Sequence, residues 1–268
     1  MAARAAKETE RKRRRSPAPA PATCTELELS YDCTVLVASA VAATSTQPVA
    51  DLQSLRARHA NYFKAMHMAT KERFVGRRVP LERLNTMRWL ENERYLAVVK
   101  HLAAAGNPDA CYVVGVTWVF ARQDMEQGFL CLRQAAAAGH KVATYVLGLL
   151  LYASGAAARG AGKKYIRQVE GDAPASTSAS AKPKPTTNQE CRRCRHIAVD
   201  TVDEVTWKVT GQRRRGQVAP PPPEEDDYRC KSSVCGKEGW GGYGVFCSEG
   251  CRIRHEYSKF FTKVNYLH

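Results

Sequence analysis

Ala103-Ala104-Ala105-Gly106-Asn107-Pro108-Asp109-Ala110-Cys111-Tyr112-Val113-Val114-Gly115 returns 33 residues later as Ala136-Ala137-Ala138-Gly139-His140-Lys141-Val142-Ala143-Thr144-Tyr145-Val146-Leu147-Gly148. Gly106/Gly139, Ala110/Ala143, Tyr112/Tyr145 and Gly115/Gly148 stay in register, and such a period belongs to helix–turn–helix solenoid units. Gly106 and Gly139 are placed to end helices in the left-handed conformation that a Cβ opposes. Asn107 is then the N-cap of the next helix, with Pro108 at its first position. Asp124, followed three residues on by Gln127, makes a capping box for the intervening helix. Small residues at Ala110, Gly115, Ala143 and Gly148 let neighbouring helices approach closely. Cys111 and Cys131 read as buried thiols on apolar faces, and His101 and His140 as surface or capping residues.

Upstream, Val35, Leu36, Val37 and Val41 predict a first helix. Asp51 is the expected N-cap of a second, because its carboxylate suits the free N–H groups of a first turn. Leu52, Leu55, Tyr62, Phe63 and Met66 then fall on one helical face. Residues 1–26 form a basic, Ala/Pro-rich tail with too little apolar content to fold. Downstream, residues 171–189 read as a Ser/Ala/Pro linker and residues 216–227 as a Pro-rich acidic hinge. Val202 to Val209 is expected to form a short strand.

The chain ends in Cys230-x4-Cys235, a Gly-rich insert and Cys247-x3-Cys251. A segment of about forty residues rarely buries a core of its own and usually needs a metal or disulfides. Short Cys-x-Cys turns deliver ligands in pairs, so Cys230, Cys235, Cys247 and Cys251 read as a tetrahedral Zn2+ site, with a disulfide or idle thiols as the alternative. His255, four residues after Cys251, is a substitute ligand. Cys191, Cys194 and His196, joined by His255, form a second candidate set.

The net charge of +15 raises the question of nucleic acid, yet much of it sits in runs such as Arg11 to Arg15 and Arg213 to Arg215. Such runs are usually solvated or read as import signals. No signal-peptide pattern is seen and the longest apolar run, Val142 to Ala153, is too short to span a bilayer. Ten cysteines without a secretory signal point to reduced thiols, and to the nucleus or cytoplasm. No P-loop, Gly-x-Ser-x-Gly or His-Glu-x-x-His occurs, which speaks against an enzyme.

Three family resemblances follow from these motifs. Asp51-Leu52-Gln53-Ser54-Leu55-Arg56 resembles the D-L-x-x-L-R of an F-box over residues 27–80; that resemblance implies that Asp51, Leu52, Leu55 and Arg56 dock a Skp-type adaptor of a cullin ligase. Residues 90–170 resemble Sel-like repeats, relatives of the tetratricopeptide repeat (TPR). Phe246-Cys247-Ser248-Glu249-Gly250-Cys251 resembles the F-C-S-x-x-C of MYND-type zinc fingers, within a region 190–268, although Lys259 stands where a final cysteine would fall. Together they are similar to a group of plant F-box proteins. The fold expected is mainly α: F-box-like helices packed on a short Sel/TPR-like solenoid, with a small zinc-stabilised C-terminal module and disordered tail and linkers. The function implied is a non-catalytic, substrate-recruiting subunit of a cullin-type ubiquitin ligase that holds an unknown target protein. The alternative is a nuclear zinc-finger protein that binds nucleic acid or serves transcription, drawing on the basic runs and on Trp240, Tyr243 and Tyr257.

Overall fold

Gly106 and Gly139 both take positive φ, 85° and 88°, and between them they set the frame of the molecule. The computed structural model describes residues 30–57, 71–171, 186–211, 230, 233–239 and 242–266. The basic tail, Tyr62, Phe63, Met66, the acidic hinge and residues 172–185 of the expected linker lie outside the described residues. The elements are α1 (Tyr31–Thr44), α2 (Pro48–Ala57), α3 (Arg73–Arg77), a 3-10 turn (Leu81–Leu84), α4 (Asn85–Leu90) and α5 (Asn92–Ala105). They continue with α6 (Pro108–Val116), α7 (Met125–Ala137), α8 (Lys141–Ala153), α9 (Ala156–Glu170), β1 (Thr186–Thr187), α10 (Gln189–Thr210), β2 (Val245–Phe246) and α11 (Glu249–Tyr266).

The caps form as the repeat implies. Asn107 Oδ1 accepts the Ala110 N–H at 3.0 Å, and His140 Nδ1 accepts that of Ala143 at 3.0 Å. Asp124 accepts that of Gln127 at 3.0 Å. Pairs α6/α7 and α8/α9 then close through glycine. A Cβ on Gly115 would come within 2.8 Å of Leu132, and one on Gly148 within 2.9 Å of Ile166. The second helix of each pair repeats the device, since Gly128 faces the Gly115 carbonyl and Gly162 faces that of Gly148. Between α6 and α7 the chain leaves the helix through a π turn, Thr117–Ala121.

The first helices cap this stack. Leu52, Ala38, Ala42 and Val75 share a core with Tyr95, Val99 and Leu102 of α5. Arg73 and Arg77 donate to Ala104 O and Ala105 O, carbonyls left open at the end of α5. α2 begins at Pro48, three residues before the expected cap, so Asp51 lies inside the helix and its carboxylate accepts the Ser45 hydroxyl. Proline suits the first helical position because its missing N–H has no helical partner to lose there.

Every residue of α8 from Val142 to Tyr152 is buried, which identifies a helix enclosed on all sides. α10 and α11 enclose it. α10 is 22 residues long, about 33 Å at helical rise, and it crosses α8, α6 and the π turn. Its far end reaches α4, where Arg88 Nε meets Glu204 at 2.6 Å and Lys208 Nζ donates to Arg88 O at 2.9 Å. The strand expected over Val202 to Val209 is therefore the last part of this helix. Burial falls on Val202, Val205 and Thr206, a spacing of three and one that a two-residue period cannot produce.

The final helix also departs from expectation. Ile253, Tyr257, Phe260 and Phe261 join the main core with Leu147, Tyr152 and Ile166, so the C-terminal segment is not a free-standing clip held by metal alone. Thr186 and Thr187, placed in the linker by composition, pair antiparallel with Phe246 and Val245. Among the described residues no helix is long and apolar enough to cross a membrane.

Candidate metal centre

Four thiols from separated stretches meet at the N-terminal end of α11. The ligand atoms of Cys230, Cys235, Cys247 and Cys251 lie within 4.8 Å of one another, and none of the four is in a disulfide. Cys247 Sγ is 3.2 Å from Cys251 Sγ and 3.9 Å from Cys230 Sγ. Thiolates around a tetrahedral zinc at about 2.3 Å stand about 3.8 Å apart, so the cluster has the dimensions of a four-sulfur site. The four thiols can hold a metal ion.

The local sequence explains the geometry. Gly236, with φ 77°, turns the chain directly after Cys235, and a Cβ there would come within 3.1 Å of the Phe246 ring. That turn lets Gly236 N–H reach Val245 O at 2.9 Å and lets Cys247 N–H donate to Cys235 Sγ at 3.4 Å. Ser248 Oγ accepts the Cys251 N–H at 3.2 Å, which opens α11 and leaves Cys251 in its first turn. Positive charge at a helix N-terminus favours a thiolate there. Burial, with hydrogen bonding among the thiols, pushes the Cys235 thiol up to about 12, so a metal has to displace its proton.

The second ligand set does not assemble. Cys191 and Cys194 face the core of α10, whereas His196 is exposed. Residues two apart on a helix point to opposite sides, so the three cannot converge on one ion. Burial raises Cys194 to about 12 and lifts Cys191 well above the ordinary thiol range, which marks them as packing thiols. His255 sits edge-on to Phe246, ring centroids 5.1 Å apart, and desolvation with nearby Arg195 and Lys259 lowers it to about 4. It lies outside the four-thiol cluster.

Behind the thiols is a buried polar clasp that the sequence reading missed. Glu256 Oε1 receives Asn188 Nδ2 at 2.6 Å and Arg195 Nη1 at 2.8 Å, while Oε2 receives the Tyr145 hydroxyl at 2.9 Å. Asn188 Oδ1 in turn accepts Gly244 N–H at 2.7 Å, and Arg252 donates to Thr187 O at 3.1 Å. The clasp ties the thiol loop to α8, α10 and α11.

The comparisons with known proteins agree with the helical stack. Residues 82–196 match the family model of plant tetratrico peptide repeats. The repeat region thus runs from the 3-10 turn into the first turns of α10, taking in Cys191 and Cys194 and stopping short of the thiol cluster. No curated protein and no solved structure matches the chain.

The expected adaptor residues are divided by the fold. Leu52 is buried in the N-terminal core and Leu55 packs against it, while Asp51 is exposed. Among the described residues of this region, apolar surface is left outward on α1, where Leu36 is 64% and Val37 39% exposed, and at Phe74 of α3, 45% exposed.

Proposed function

We propose that this chain is a non-catalytic, protein-binding scaffold that recruits a target protein to a cullin-type ubiquitin ligase. The observation that carries the protein-binding reading is the TPR-like repeat region, two glycine-locked helix pairs of a type that serves as a docking platform. α10 packs against the first helix of each pair and against α9 as well, which leaves α7 and the thiol loop to face a target. The adaptor step draws on the D-L-x-x-L-R resemblance of residues 51–56. It is supported by the outward Leu36 and Val37, since contiguous exposed apolar residues suit a partner surface. The metal in this reading is zinc, held by four thiolates with no open position for a substrate, as in structural rather than catalytic sites. The working compartment is the nucleus or cytoplasm.

The test is affinity purification of the full chain, scored for a Skp-type adaptor and cullin, beside a Leu36→Glu/Val37→Glu variant. Recovery of the adaptor with the native chain and its loss from the variant supports the reading. An adaptor that never accompanies the native chain overturns the ligase step and leaves the scaffold.

A further inference from the structure

A cleft lies between the first turns of α10 and the thiol loop, lined by Gln189, Arg192, Arg193, His196 and Tyr243. It is separate from the metal cluster and faces solvent. Its contents are unusual in one respect. Gln189, Arg192, His196 and Tyr243 have no hydrogen bond or ion pair through their side chains among the described residues, so a guanidinium and three further groups able to donate line the cleft with no carboxylate among them. Arg193 does have one, to Glu190 at 3.1 Å, but Glu190 is shared with Lys141 at 3.0 Å and leaves the cleft positive. The field is visible at His196, which burial and the charges of Lys263, Arg195 and Arg192 hold below the ordinary imidazole range against Asp200 alone.

Arg192 is held ready by the loop. Its guanidinium lies across Gly242, where a Cβ would come within 2.6 Å of it, and Gly242 takes φ 71°. A side chain at that position would push the guanidinium off the loop. The N-terminal turn of α10 adds the positive end of its dipole to the same opening.

We propose that this cleft binds a phosphorylated serine or threonine in a peptide segment of a partner protein. A phosphomonoester carries close to two negative charges and three acceptor oxygens, matching a guanidinium fork surrounded by neutral donors. A carboxylate offers fewer acceptors and half the charge. A nucleic acid needs a track of cations, since its affinity grows with each phosphate neutralised. Here the cations that α10 brings to the cleft are Arg192 and Arg193 alone, with Lys263 of α11 beyond His196, before Asp200 and Asp203 reverse the sign along α10. That is room for one phosphate. The inference does not depend on the adaptor reading, which is scored by a different capture.

The experiment is fluorescence anisotropy with the metal-loaded full chain at fixed salt. Its probes are a degenerate peptide pool centred on phosphoserine, the same pool with serine, and an oligothymidylate. The phosphoserine pool is expected to bind at least tenfold tighter than the serine pool, and Arg192→Gln to remove about tenfold of that. Tyr243→Phe keeps the ring in place and is expected to cost a few-fold, while Lys100→Gln on α5 changes nothing. Equal binding of the two pools overturns the proposal. So does an Arg192→Gln chain of native helicity that binds as before, or an oligothymidylate that binds tighter than the phosphopeptides with steep salt dependence.

Discussion

His140 fills the N-cap of α8 with an imidazole where a hydroxyl or carboxylate is usual. The cap works only while Nδ1 carries no proton, because it must accept the Ala143 N–H. Desolvation lowers the pKa of His140 while Asp109, 3.6 Å from Nε2, opposes the shift, so the folded chain holds the proton less well than the unfolded one. Its stabilising contribution is complete above the ordinary imidazole value of about 6.5 and is lost as pH falls below it. His140→Asn keeps an acceptor that does not titrate. Urea midpoints at pH 7.5 and 5.5 are expected to converge for that variant, whereas His140→Ala loses about 1 kcal/mol at pH 7.5. Glu256 poses the sharper case. It is fully buried, and its loss leaves the Arg195 guanidinium without a counter-charge in the core. Glu256→Ala is expected to lower unfolding free energy by about 3–5 kcal/mol. Replacing Arg195 and Glu256 together by Met and Leu should recover much of that, as double-mutant denaturation would show.

Helix contacts give a prediction with its own control, because α9 carries two glycines of opposite meaning. A Cβ on Gly162 would stand 2.6 Å from Tyr152 N and 2.7 Å from Gly148 O, both backbone atoms that cannot step aside. Gly160, two residues away, faces open space. Gly162→Ala is expected to force α8 and α9 apart and cost about 1–3 kcal/mol or more. Gly160→Ala should instead stabilise by about 0.5–1 kcal/mol, since alanine narrows the unfolded ensemble and favours a helix interior. Equal melting temperatures for the two would refute the contact argument. The same contacts show why the repeats were legible in the sequence. Gly115 and Gly148, Asn107 and His140 sit at positions where only a few residue types fit, so the pattern survives in plain letters. α10 is not legible as a helix, because Val202, Val205 and Val209 carry the β-branched character of strands, and that propensity masks their three- and four-residue spacing. The clasp was half legible. Arg252 and Glu256 fall in the middle of the stripe Ile253, Tyr257, Phe260 and Phe261, so a helical projection of α11 puts two charges in its buried face. Nothing in the spacing, however, named Asn188 and Tyr145 as partners of Glu256, or Thr187 as that of Arg252.

At the scale of the whole molecule, the thiol cluster holds a loop against a body that is already packed. Four cysteines in a short tail suggested that metal alone folds the C-terminus, but α11 buries Ile253, Tyr257, Phe260 and Phe261 in the main core. The contribution of a metal bound there would then be divided. One part closes the stretch from Cys230 to Cys251, and another reaches the body through β1/β2 and the Asn188–Gly244 bond. Removal of the metal with a chelator should therefore leave most helical circular dichroism intact and still lower the melting temperature. Hydrogen exchange should rise first at Gly236, Gly244 and Cys247, then at Thr187, and last in α11. Since each bound thiolate gives up a proton, metal affinity should fall as pH is lowered from 8 to 6. Cys235→Ser and Cys247→Ser should reproduce the chelated pattern at neutral pH, each with less than one metal per chain by elemental analysis. A chain whose α11 exchanges as fast as its thiol loop on chelation would show instead that the metal folds the C-terminal helix, and that the clasp forms only after it.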